Sequence, residues 1–326
     1  SWRVLFEDIS TGYRQAINEE EIELPSKTHS FKEWSENIQN YARSDKLLEE
    51  TEYWKNIENC KVAKLPKDNE TISNNRYSSR SVQMKISEED TEKLLRDTNK
   101  AYNTEINDIL LAALGLSIKE WTGENKILVS IEGHGREEIM HYMNITRTIG
   151  WFTSAYPVFL DCEKSDDINY YIKSTKDGIR RIPNNGVGYN ILKYITPKEY
   201  IKDLEFKQKP QLSFNYLGQF DNDINQGAFS ISSIWTGDSI SKESQRLYDI
   251  DINGMVVNSQ LCLNFEYNKD EYDKNTIIEI VKTYKDALLD IIKHCTEKEE
   301  TELTPSDLTG KEISIEELNS IEELLD

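Results

Sequence analysis

Apolar positions in SWRVLFEDISTGYRQA fall four apart, at Leu5, Ile9 and Tyr13, and predict a helix with one apolar face. Ser30-Phe-Lys-Glu33 has the form of a capping box, and Phe31, Trp34, Ile38 and Tyr41 follow at helical spacing. Leu47 to Ile57 reads as another short helix, and the polar, Pro66-containing stretch from Lys64 to Asn75 as a loop. Arg76 to Ile86 alternates towards Val82, Met84 and Ile86, as a strand does. Ser87-Glu-Glu-Asp90 caps a helix running to about Tyr102. Thr104 then opens the strongest helix, EINDILLAALGLSIKEW, where Ile106, Ile109, Leu110, Ala113 and Leu114 mark a wide buried face.

Beyond Thr122-Gly-Glu-Asn the pattern changes. KILVSIEG (126–133) is a continuous apolar run of the kind a buried strand needs, and AYPVFLDC is a second. Asp167 to Ile182 is helical, stopped by Pro183 and the turn Asn184-Asn185-Gly186. QLSFNYLGQ and AFSISSIW read as strands. Tyr248–Val257 and Gln260–Tyr267 alternate around Asn258-Ser259 as a hairpin, and Thr276 to His294 is a long amphipathic helix. The glutamate-rich tail from Thr296 to Asp326 contains Pro305 and Gly310 and ends in the helix-like SIEELNSIEELLD. It reads as a linker leaving the domain. Alternating helices and strands, with some strands adjoining, predict a mixed sheet flanked by helices.

Composition narrows the function classes. Among 326 residues, 59 Asp+Glu stand against 39 Lys+Arg, a formal charge of −20. That balance disfavours nucleic acid and anionic membrane surfaces, which need a basic footprint. There is no apolar run of the ~18 residues that a bilayer span requires. An aromatic content of 10% argues for a packed core, and the length for about two lobes. Cys60, Cys162, Cys262 and Cys295 form no CxxC pair, which fits a reducing, cytoplasmic setting. The chain opens inside an amphipathic segment without Met and is expected to be a piece of a longer polypeptide.

The richest chemistry lies in Ile131-Glu-Gly-His-Gly-Arg-Glu137, where a buried strand runs out into a carboxylate, two glycines, a His and an Arg. Partial desolvation of Glu132 raises a carboxyl pKa, as a general base near neutrality requires. Gly133 and Gly135 allow close backbone approach to a ligand, and Arg136 is a permanent cation in reach. The plainer alternative is a tight turn with a structural Glu–Arg pair. His134 and His141, seven apart with Glu137 and Glu138 between them, are a weak metal candidate without an HExxH. Gly186-x-Gly188 and Gly133-x-Gly135 lack the rest of a dinucleotide fingerprint, and neither a P-loop nor GxSxG occurs. In Phe214-Asn-Tyr-Leu-Gly-Gln-Phe220, Asn215 and Tyr216 sit on opposite faces of a strand. The Tyr is a phenol at a site or a core residue.

Together, SWRVLFEDI (1–9), AYNTEINDILLAAL (101–114), EGHGRE (132–137), RTIGWFTSAYPV (147–158), PNNGVGY (183–189) and FNYLGQF (214–220) resemble the epimerization domain of nonribosomal peptide synthetases. The resemblance runs from residue 1 to about residue 295, and LTPSDLTG is similar to the exit linker after such domains. It implies the chloramphenicol acetyltransferase-like fold: two α/β lobes with mixed sheets and a tunnel between them. It implies residues 1–90 as the remainder of an amino-terminal lobe, 91–295 as a carboxy-terminal lobe and 296–326 as an acidic exit linker. The implied activity is inversion of the α-carbon of an aminoacyl or peptidyl thioester. That group is carried on the 4'-phosphopantetheine of a carrier protein domain, with no metal and no cofactor of the domain's own.

On that resemblance Glu132 matches the acid/base carboxylate, and Arg136 the motif arginine that holds Glu132 ionised or supports the loop. Tyr216 and Asn215 match tunnel positions, with Tyr216 donating to the developing oxyanion or relaying a proton. Gly133, His134 and Trp151 are the remaining substrate-side positions, His134 more as scaffold than catalyst. The family's HHxxxD motif lies upstream of SWR, and none of His29, His134, His141 or His294 occupies its place. The chain alone is therefore expected to be inactive and to partner the missing amino-terminal half. The alternatives are an amide-forming condensation domain, or a non-catalytic carrier-docking module.

Overall fold

A computed structural model describes residues 1–71, 74–163, 167–219, 229, 234, 236–308 and 313–325. Helix α1 is Trp2–Ile17, α2 Phe31–Tyr41, α3 Asp45–Leu48 and α4 Thr51–Asn59. Strand β1 (Ser79–Lys85) precedes α5 (Glu88–Arg96) and α6 (Ile106–Thr122). Then come β2 (Lys126–Gly133), β3 (Ser154–Asp161), α7 (Ile168–Arg180), α8 (Val187–Tyr194) and β4 (Leu212–Gln219). Strands β5 (Ile250–Val257) and β6 (Gln260–Asn268) lead to α9 (Lys274–Glu297) and α10 (Ile315–Leu325).

Local signals account for most boundaries. Ser30 and Glu33 form the reciprocal capping box before α2, Ser87 caps α5, and Gly123 ends α6 in the left-handed conformation. Asn258 and Ser259, both at positive φ, make the two-residue turn between β5 and β6. The helix expected over Leu47–Ile57 is two: α3, capped by Ser44, stops at Leu48, and α4 starts again at Thr51. The helix expected to reach Tyr102 ends at Arg96 and gives way to a 3₁₀ turn, Thr98–Lys100. There the Thr98 hydroxyl donates back to the Leu94 carbonyl. The N-cap of α6 is Glu105 rather than Thr104, with Asp108 accepting from the Glu105 amide. The strand expected at 228–235 falls almost wholly outside the described residues.

Among the described residues the strands form one mixed sheet in the order β1-β6-β5-β4-β2-β3. Strands β2, β4 and β5 are mutually parallel, and β1, β6 and β3 pair antiparallel. Strand β1 belongs to this sheet although it precedes residue 90. Helices α6 and α9 pack on one face: Tyr284 meets Phe265 edge-on at 5.6 Å, and its hydroxyl donates to the Leu110 carbonyl. Burying each such ring contributes about 1.5–3 kcal/mol, and this layer makes the sheet rigid enough to hold a site.

The tail does not simply leave the domain. Lys173 and Lys176 are buried on α7, and a buried ammonium needs a counter-charge. Glu302 and Asp307 of the tail supply it, at 2.6 Å in each case, and Thr304 is fully buried. The SIEELNSIEELL segment is helical as expected, with Ile315 and Leu318 buried. Among the described residues no helix is long and apolar enough to cross a membrane.

Candidate functional site

The pleat gives the sheet two unlike faces. Ile127, Val129 and Ile131 of β2 align with Leu212 and Phe214 of β4, Ile250 and Ile252 of β5, and Leu263 and Phe265 of β6. That apolar face carries the helices. On the other face, Ser130, Ser213, Asp251 and Glu266 form one cross-strand row. Continuing the register by two residues puts Glu132, Asn215, Asn253 and Asn264 in the next row. A polar face running across four strands is the setting of the candidate site.

Strand β2 is buried from Ile127 to Ile131 and opens at Glu132. Asn215 Nδ2 donates to Glu132 Oε2 at 2.9 Å, which fixes the carboxylate against β4. One side of the carboxylate faces solvent, while the protein packed around the other side removes enough water to raise its pKa. The negative charge of Asp251 adds to the rise. Tyr216 follows Asn215 but points to the apolar face, where its ring lies beside Gly254, against the core. Burial pushes its phenol up to about 12, so it stays protonated at neutral pH. A register shift with Gly218 at positive φ ends regular pairing there. Glu132 and Tyr216 thus flank the carboxyl-terminal ends of adjacent parallel strands, from opposite sides of the sheet. In open α/β sheets that end is where ligands bind.

The loop after β2 is built tightly. Gly135 has φ +67°, and a Cβ there would lie 1.6 Å from the Phe152 carbonyl oxygen. Gly133 is also packed: a Cβ would meet Ser154 Oγ at 3.2 Å and the Tyr156 ring at 3.4 Å, so protein rather than open space adjoins it. Arg136 does not reach Glu132. Its guanidinium donates to the carbonyls of Ile145 (2.5 Å) and Thr148 (2.7 Å) and stacks 4.2 Å over Phe152. Phe31 and Trp34 of α2 pack edge-on against the same Phe152. Of the two roles expected for Arg136, these contacts are those of loop support. His134 Nδ1 accepts from the Arg136 amide and Nε2 faces Glu137 Oε1 at 3.3 Å, while Asn185 of the PNNG turn donates to Glu137. His134 is therefore part of the turn. Trp151 is 94% exposed, an indole standing free of the core.

Among the described residues no group of three His, Cys, Asp or Glu side chains converges as a metal site. A cavity of about 280 Å³, lined by Lys126, Leu128 and the Val62–Leu65 strap, lies at the opposite end of β2 from Glu132. Its lining comes no nearer along β2 than Leu128, four residues or roughly 13 Å from Glu132, and it takes no part in the site. Sequence reading missed Asp251, Arg246, Ser130 and Tyr248, whose hydroxyl lies 3.0 Å from Ser130 Oγ. The alternation of β5 marked Asp251 as outward-facing, but nothing local tied it to a strand 120 residues earlier.

A mixed sheet packed by helices, with a carboxylate at the ends of its parallel strands, is a mixed α/β architecture, and its match to solved structures makes it chloramphenicol acetyltransferase-like. The comparisons agree. The structure of the epimerization domain from the third module of tyrocidine synthetase B is similar at TM-score 0.86 and 45% identity, over 91% of this chain and 67% of that one. SgcC5 from Streptomyces globisporus, 12% identical at TM-score 0.64, shares the fold. The condensation-domain model matches residues 1–314, and the chain belongs to the condensation-domain family of nonribosomal peptide synthetases. Gramicidin S synthase 1 of Brevibacillus brevis is 48% identical over the whole chain, which corresponds to 30% of that protein. Surfactin synthase subunit 1 of Bacillus subtilis is 43% identical over 99% of the chain and 9% of its own length. The chain spans about a third or less of these curated relatives.

Proposed function

We propose that this domain inverts the α-carbon of an aminoacyl or peptidyl group held as a thioester on the 4'-phosphopantetheine of a carrier domain. The observation that carries the reading is Glu132: a carboxylate with raised proton affinity, pinned by Asn215 at the open end of a buried strand. An α-proton next to a thioester is a weak acid, and its removal needs a base of matched pKa and a donor for the enolate oxygen. In this proposal ionised Glu132 takes the α-proton on the polar face, while Tyr216, whose ring lies on the opposite face against the core, shapes the end of β4 beside it. A proton from water reaches the opposite face of the α-carbon and Glu132 gives the proton it took to water, which completes the inversion. The sum is proton out and proton in, with no other reactant consumed. Arg136, Gly133 and His134 shape the loop that aims Glu132, and the exposed Trp151 is proposed as a contact for the tethered group. The similarity to a solved epimerization domain supports this reading over amide formation.

The test supplies the polypeptide carrying this domain with a carrier domain loaded with an L-aminoacyl thioester in deuterated water. The expected result is deuterium at the α-carbon and accumulation of the D form, reduced at least about 100-fold by Glu132→Gln. The rate should fall as pH drops through the raised Glu132 pKa, because the ionised form is the base. Undiminished exchange in Glu132→Gln would overturn the assignment. A new amide bond instead of inversion would favour condensation, and carrier binding with no exchange a docking role.

A further inference from the structure

The polar face contains a charged pair for which the proposed chemistry has no use. Arg246, from the loop before β5, has a fully buried side chain. Its Nη1 donates to Ser79 Oγ (2.6 Å) and Glu266 Oε1 (2.9 Å). Its Nη2 donates to Asp251 Oδ2 (3.2 Å) and the Glu266 carbonyl (3.1 Å). Ser213 donates to the other oxygen of Asp251 at 2.7 Å. Both Asp251 oxygens are thus tied down, one through β4 and one through a guanidinium that is itself anchored to β1 and β6. Ser213 lies two residues before Asn215, the residue that holds Glu132. Burying a guanidinium is expensive, and an apolar residue of similar volume would often stabilise the sheet as well.

We propose that Asp251, anchored by Arg246, is a positioning residue for Glu132: it plants a negative charge on the carboxylate's own side of the sheet, one residue row back and two strands across, and so helps Glu132 hold the proton it has taken. The inference rests on the reading of Glu132 as the acid/base. Asp251 is the like charge that acts on Glu132, and Tyr248 is a further titratable group on this side. Burial raises the Asp251 carboxyl itself and Glu266 adds to the rise, while the Ser213 hydrogen bond and the charges of Arg246 and Arg76 pull it back towards the ionised form. From the loop after β2, His134, Glu137 and Arg136 border the same end of the sheet, and Arg3 of α1 approaches Gly218. All of these stay in place in the variants below, so a change in Glu132 belongs to the pair.

The experiment is a carbon-13 NMR titration of glutamate side-chain carboxyls in this chain. The Glu132 signal is identified by its loss in Glu132→Gln. Asp251→Asn, close to isosteric, is expected to lower the Glu132 midpoint by a few tenths of a pH unit. Arg246→Gln, which leaves Asp251 uncompensated, is expected to raise it, and Arg246→Lys, which keeps the charge, to leave it in place. Amide spectra report whether each variant folds, and Asp251→Asn carries the test alone if the arginine variants do not. A purely structural pair predicts no ordered, opposite displacements, and an unmoved midpoint in folded Asp251→Asn overturns the inference. The acid limb of the deuterium-exchange profile should move with the NMR midpoint. Exchange that survives Glu132→Gln removes the proposed function, whereas the titration still judges the pair.

Discussion

Substituting alanine at Gly135 and at Gly123 separates two costs that ordinarily occur together. Both glycines sit in the left-handed region, at φ +67° and +72°. At Gly123 a Cβ would meet nothing within 4 Å, so Gly123→Ala carries only the backbone strain, about 1–2 kcal/mol. At Gly135 the same strain is joined by a Cβ 1.6 Å from the Phe152 carbonyl oxygen and 2.6 Å from its carbon. Backbone cannot yield as a flexible side chain does. Relief requires the strand-entry segment to retreat by more than an ångström. That loosens the Arg136 hydrogen bonds to Ile145 and Thr148 and the stack on Phe152. Hydrogen bonds from a charged donor contribute about 1.5–3 kcal/mol each, so Gly135→Ala should cost about 3–5 kcal/mol beyond Gly123→Ala. Urea unfolding of both variants beside the parent measures the difference. At a slope of about 3 kcal/mol per molar for a domain of this size, the midpoint should fall by roughly 1 M or more relative to Gly123→Ala. Equal midpoints would mean that the loop does not pack as described, and the placement of Glu132 would lose its support.

Arg136→Gln should destabilise the chain by about 2–4 kcal/mol through its lost carbonyl contacts, measured in urea, while leaving the Glu132 titration in place, because the guanidinium is spent on the loop. The tail clamp should be acid-labile. Burial opposes ionisation of Asp307 and Glu302, but hydrogen bonds from Lys176 and Thr304 to the first, and from Lys173 and Lys298 to the second, outweigh it and hold both below the usual carboxylate range. Their contribution is therefore complete above about pH 4–5 and lost as pH falls through the depressed values. Limited proteolysis with an acid-active protease should release the segment after residue 296 only at the low end, and Asp307→Asn should release it at neutral pH with a neutral protease.

Elements whose signals are local were legible. Ser30 and Glu33, Ser87, Asn258-Ser259 and the apolar runs of β2 and β3 each state their conformation within a few residues, and the structure follows them. The shift at Tyr102 has a local origin too: the Thr98 hydroxyl bonds to the Leu94 carbonyl and ends the helix inside an apolar pattern. The site was half legible. Glu132 and Asn215 stand in distinctive stretches, and their contact follows once β2 and β4 are known to be parallel neighbours. Arg246 and Asp251 had no such route. Their meaning depends on the register between β4 and β5, joined by thirty residues whose own apolar run, 228–235, says nothing of that pairing. The tail was misjudged for a related reason: its glutamates look like solvent-seeking charge until Lys173 and Lys176 are seen to be buried without them.

The position of the carboxylate follows from the burial pattern of β2 itself. From Ile127 to Ile131 the strand is covered on both sides, so an ionised group at any of these positions would be desolvated without a partner. One residue beyond Glu132, the side chain would point to the other face, where the space at Gly133 is taken by Ser154 and Tyr156. Position 132 is the first at which a carboxylate can keep one side in water and still feel the low polarity of the strand behind it. It is also where the parallel neighbour offers Asn215 at the same level. A half-solvated carboxylate with a neutral amide partner gains proton affinity without becoming trapped in its neutral form. An arginine partner in place of Asn215 would hold it ionised and unable to accept a proton near neutrality. That choice of partner, an amide beside Glu132 and the arginine kept two strands away on Asp251, suits Glu132 to the proton transfer proposed for it and leaves the ion pairs of this face to Asp251 and Glu266.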